Sequence, residues 1–70
     1  MSKFPVYTPE EIIRILKING FMEDRQKGSH KVFYNAKTLQ RVVVPCHKKD
    51  LPIGTARSIL KMAGLLGNDE

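Results

Sequence analysis

One short stretch gathers residue types that can do chemistry. Arg25-Gln26-Lys27-Gly28-Ser29-His30 sets two cations and a histidine around a Gly-Ser pair, and Lys31 follows at once. Such a set suits proton transfer beside a bound anion. Histidine's ordinary pKa, roughly 6.5, lies near working pH, and a positioned acid or base is typically worth about 10²–10⁴-fold in rate. Lys27 and Lys31, with the Ser29 hydroxyl, have the chemistry to hold a phosphate, and Gly28 lets backbone amides approach it closely. The alternative for His30 is a solvent-exposed histidine that merely begins a strand, as most lone histidines are inert.

A second basic run, His47-Lys48-Lys49, lies further along. Reactions that move a proton in and a proton out need both an acid and a base, so His47 is a second candidate. Its place in an exposed basic loop argues instead for a binding contact. Cys46-His47 has the look of a metal pair, but a structural zinc site wants four ligands and the chain has one cysteine and two histidines. No metal or other cofactor is expected.

Charge supports an anionic partner. Residues 25–49 hold seven basic side chains (Arg25, Lys27, Lys31, Lys37, Arg41, Lys48, Lys49) and no acid, although the whole chain carries only +5. The rest of the chain is therefore slightly acidic. A positive field concentrated in this way captures polyanions; the alternative is a solvated basic surface with no partner. Both histidines fall within that same segment, which favours a polyanion site.

These residues must be positioned by a very small scaffold. Seventy residues allow one domain and a shallow site, so a large ligand met on an open surface fits better than a small molecule engulfed in a cavity. The lone cysteine, Cys46, offers no internal disulfide. There is no apolar leader and no apolar run longer than three residues, so no membrane span is expected and the cytoplasm is the expected compartment.

Thr8-Pro9-Glu10-Glu11 opens a helix with a cap, a first-turn proline and a capping-box glutamate. Ile12, Ile15 and Leu16 recur at helical spacing, Ile13 and Ile18 widen the stripe, and Asn19-Gly20 ends it. Three strands are predicted over about Phe21–Lys27, His30–Asn35 and Leu39–Val44, with turns at Gly28-Ser29 and Asn35–Thr38 and a stop at Pro45. A basic loop leads to a second helix opening at Gly54-Thr55. Ala56, Ile59, Leu60 and Ala63 form its apolar stripe, and Gly64 closes it with Leu65 placed for a hydrophobic contact. The order α-β-β-β-α predicts an α+β fold, a three-stranded antiparallel sheet with two helices on one face and the other face open. Double-stranded-RNA-binding domains are arranged this way. In strand two, His30, Val32 and Tyr34 share one side and Lys31, Phe33 and Asn35 the other. Both sides are mixed, so the pattern does not say which faces the helices. Phe33 and Tyr34 can stack on bases if they face outward, or pack in the core.

Here the chain resembles the HicA family of toxins. The residues that carry the resemblance are Asn19-Gly20-Phe21, the hallmark stretch Arg25 to His30, Val42-Val43-Val44-Pro45 with His47, and Gly54-Thr55 with Arg57-Ser58-Ile59-Leu60-Lys61 and Ala63-Gly64-Leu65. It spans about residues 8–66 of a single domain covering 1–70. The resemblance implies a metal-independent endoribonuclease acting on single-stranded or messenger RNA, with His30 required. It also implies a HicB-type antitoxin that covers the active surface. On that view Arg25, Lys27, Gly28, Ser29, Lys31, His47, Lys48 and Lys49 contact RNA. Cleavage of RNA uses the substrate's own 2′-hydroxyl, which must lose a proton while the leaving 5′-oxygen gains one, and histidine suits both steps. The alternatives are a non-catalytic RNA-binding module of the same fold and a subunit whose basic face docks an acidic protein.

Overall fold

The computed structural model describes residues 6–46 and 50–65. Helix α1 (Pro9–Ile18) starts as its first four residues dictate. The Glu11 backbone N–H donates to the Thr8 hydroxyl (3.1 Å), and the Thr8 N–H donates back to the Glu11 carboxylate (2.9 Å). Ile12 and Leu16 are fully buried, whereas Ile18 is exposed. At about 100° per residue, Ile18 falls well away from the line through Ile12 and Leu16 and cannot share their face.

Strands β1 (Met22–Lys27), β2 (His30–Asn35) and β3 (Gln40–Pro45) form an antiparallel sheet in sequence order. Helix α2 (Ile53–Met62) follows, starting at Ile53 behind Pro52 rather than at Gly54. Phe21 is not the first residue of β1. It is buried in the core, and its N–H donates to the Leu16 carbonyl (2.9 Å), closing α1. The Leu65 N–H donates likewise to Leu60 (2.9 Å) at the end of α2. Between helix and closing residue stand Gly20 (φ 96°) and Gly64 (φ 75°), in the left-handed conformation such ends require.

The structure decides the faces of β2. Phe33 pairs with Val42, both are buried, and Val44 beside Lys31 is buried too. These side chains meet Ile12 and Leu16 of α1 and Ala56, Ile59 and Leu60 of α2 in one core. The two helices thus cover one face of the sheet, as expected, with their packing concentrated on β3. All of β1 is exposed.

Among the described residues Asn35 is the buried polar side chain. Its Nδ2 donates to the Asn19 carbonyl (3.2 Å), and its Oδ1 accepts from the N–H groups of Lys37 (2.9 Å) and Thr38 (3.3 Å). Its cross-strand partner Gln40 donates to the Met62 carbonyl (3.1 Å). Each residue of the pair therefore reaches the end of one helix. At the other pole the Leu51 N–H donates to the Tyr7 carbonyl (2.8 Å) and ties the two helix starts together.

Candidate functional site

His30 is the first residue of β2 and is exposed. It pairs with Lys27 on one side and Pro45 on the other. The turn that presents it is a two-residue hairpin. Gly28 has φ 58°, and Ser29 is not among the positive-φ residues, a pattern that suits the right-handed twist of the flanking strands. Two bonds brace it. Gln26 Nε2 donates to the Gly28 carbonyl (3.0 Å), and the Cys46 N–H donates to the Ser29 carbonyl (2.6 Å). The turn that carries the histidine is thereby held on both sides, by β1 and by the residue that follows β3.

Counting outward from this turn places the cations. Lys27 is opposite His30 and Arg25 is opposite Val32, so alternation sets both on the face of His30, the face the helices leave open. Lys31 lies on the other face. It is half-buried, between Gln26 and Val44, on the side where Phe33 enters the core. Lys27 and Lys31, expected to act together, are thus split between the two faces of the sheet. His47, Lys48 and Lys49 lie outside the described residues. Among the described residues no three His, Cys, Asp or Glu side chains gather as a metal site would need.

The open face carries a second group, of which the sequence pattern singled out Tyr34 but not its partners. The Arg41 guanidinium lies over the Tyr34 ring, 4.8 Å from its centroid, and Nη1 donates to Asp24 Oδ2 at 2.7 Å. Arg25 Nε lies 3.8 Å from the same oxygen. Tyr34 therefore faces outward, whereas Phe33 is core. A groove of about 570 Å³ runs between β3 and α2 past Val43, Pro52, Ile59 and Met62, and His30 does not line it. The histidine sits on an open surface. Among the described residues no helix is long and apolar enough to cross a membrane.

A protein-family model described as "HicA toxin of bacterial toxin-antitoxin" matches residues 9–65, from the first residue of α1 to the residue that closes α2. A search among curated proteins found no match.

Proposed function

As the chain belongs to the HicA toxin family, and so is the toxin of a toxin–antitoxin system, we propose that it is an endoribonuclease that cleaves messenger RNA with His30 as its catalytic residue. The observation that carries this reading is the placement of His30: exposed, at a braced turn, in register with Lys27 and on the same open face as Arg25. An RNA phosphate brought to that row meets positive charge and a group able to move a proton. In the reaction His30 takes the proton of the 2′-hydroxyl, whose oxygen attacks the adjacent phosphorus. The bond to the 5′-oxygen breaks, a 2′,3′-cyclic phosphate forms, and the leaving oxygen receives a proton from the imidazolium or from a second acid such as His47. Lys27 and Arg25 stabilise the charge on the phosphate as it develops. No step calls for a metal.

Such an activity in the cytoplasm needs a restraint. A HicB-type antitoxin that covers His30 and offers acidic groups to Arg25 and Lys27 supplies it, with salt-sensitive association. The test is cleavage of labelled RNA in the presence of EDTA. Wild-type protein cuts, and His30→Ala loses about 10²–10⁴-fold in rate. Equal rates for the two proteins overturn the assignment, and a shift of RNA without any cleavage points to the non-catalytic module instead.

A further inference from the structure

Beyond the histidine row, the open face holds a cluster whose chemistry differs from that of a phosphate site. We propose that Tyr34, Arg41 and Asp24 form a stacking subsite for a nucleobase of the RNA strand whose phosphate is handled at His30, an inference that rests on the ribonuclease reading.

The first observation is a bulge in β1. Glu23 pairs with Phe33 and Arg25 with the adjacent Val32, so Asp24 is an extra residue with no partner of its own. Counted back from the Gly28-Ser29 turn, strict alternation would place Asp24 opposite Phe33, on the helix-packed face. The bulge instead puts Glu23 there and brings Asp24 out to Arg41. Re-aiming a side chain is a common use of a bulge near a functional site.

What the bulge produces is a fixed platform. Arg41 crosses from β3 over the Tyr34 ring on β2 to reach the Asp24 carboxylate on β1, so its guanidinium is held from both sides. The Arg41 side chain is nevertheless 54% exposed. A guanidinium plane backed by an aromatic ring is a surface on which RNA bases stack. The surroundings suit a base. Met22, the other partner of Tyr34, is 70% exposed, and Val43, beside Arg41 in sequence and paired with Val32, is 46% exposed. These apolar side chains offer contact to a flat ring and none to a phosphate.

Charge separates the two ends of the face. Beside His30 stands Lys27, whereas at Tyr34 the charge of Arg41 is matched by Asp24, whose carboxylate also lies 3.8 Å from Arg25 between the two ends. A carboxylate repels phosphate but accepts hydrogen bonds from base N–H groups. Tyr34 lies four residues beyond His30 on the same strand, roughly 13 Å at about 3.3 Å per residue. One short single strand can lie across both, phosphate at the turn and base at the platform.

The experiment compares two probes on His30→Ala protein, which is expected to bind without cutting: a short oligoadenylate, and a ribose-phosphate oligomer of equal length and charge with no bases. Expected is tighter binding of oligoadenylate, about 5–160-fold, the range that stacking of one base gives. Adding Arg41→Lys, which keeps the charge and loses the plane, or Tyr34→Leu, which keeps the bulk and loses the ring, should reduce that advantage and leave the abasic oligomer's affinity unchanged. Lys27→Ala should weaken both probes alike. If both probes bind but neither Arg41→Lys nor Tyr34→Leu alters the difference between them, the subsite is wrong and the ribonuclease reading stands. If neither probe binds, both fall. Thermal melting of each variant establishes that it is folded. Should one of the two fail to fold, the other decides.

Discussion

At the β2–β3 hairpin, Asn35 and Gln40 face each other across the strands, and each donates to a carbonyl at the end of a helix. A Cβ added to Gly64 there would stand 3.1 Å from Gln40 Nε2, and one added to Gly20 would stand 3.3 Å from Asn35 Nδ2. At the β1–β2 hairpin the surroundings are the reverse. Every residue of β1 is exposed, and a Cβ on Gly28 would meet nothing within 4 Å. One hairpin bolts the helices to the sheet, and the other holds its cations and histidine out to solvent. The contrast teaches how so small a domain carries a reactive surface. The β2–β3 hairpin is tied to both helix ends through Asn35 and Gln40, whereas the histidine turn is braced by bonds from Gln26 and Cys46 and leaves its side chains exposed.

The comparison can be broken most sharply with paired substitutions. Phe33→Ala removes the largest fully buried side chain and should cost about 3–5 kcal/mol. Domains are stable by only about 0.05–0.15 kcal/mol per residue, so circular dichroism should find this variant largely unfolded. A cooperative melt close to wild type would mean that the core does not rest on β2. His30→Ala should do the opposite, abolishing cleavage while thermal stability stays within about 0.5 kcal/mol of wild type, as for other exposed positions. A large fall in melting temperature would show that the histidine end also carries the fold.

Smaller changes sharpen the same contrast. Asn35→Ala leaves the Lys37 and Thr38 N–H groups and the Asn19 carbonyl short of a partner. It should destabilise by about 1–3 kcal/mol, with the melting temperature falling by about 4–8 °C per kcal/mol. Cleavage by the folded fraction should be unchanged, and a specific loss of activity would join the two ends functionally. The smallest expected effect is a gain. Leu39 holds φ 64° at an exposed turn position, where the residue is 71% exposed. Left-handed backbone costs a non-glycine residue about 1–2 kcal/mol, and glycine's greater freedom in the unfolded chain offsets part of that. Leu39→Gly should therefore raise the urea midpoint by an amount equivalent to about 0.5–1 kcal/mol, with an unchanged slope. A lower midpoint would mean that Leu39 makes contacts its exposure does not suggest.

Much of this molecule is written in local signals. Thr8, Pro9 and Glu11 start α1 and Asn19-Gly20 stops it, because caps act on groups three or four residues away and need no tertiary partner. The stripe Ala56, Ile59, Leu60 and Ala63 is buried as its spacing predicts. The Gly28-Ser29 turn sets Lys27 opposite His30 through two intervening residues, so that pairing follows from a local signal, whereas the grouping of Lys27 with Lys31 does not survive folding. Tertiary structure decided the rest. Each side of β2 mixes polar and apolar residues, and only the docking of two helices over Phe33 and Val42 assigns Lys31 to one face and His30 and Tyr34 to the other. Asn35 reads as a turn residue, and its buried role appears only when the Asn19 carbonyl is carried to it from the far side of a helix. The bulge at Asp24 has no signature in its own sequence. It follows from pairing two strands in register at the turn while Phe21 is anchored in the core, and one residue more lies between those points than a regular ladder can use. Period-two patterning carries no information about such an insertion, so although Tyr34 is a stacking candidate from its type alone, its assembly with Arg41 and Asp24 belongs to the folded chain.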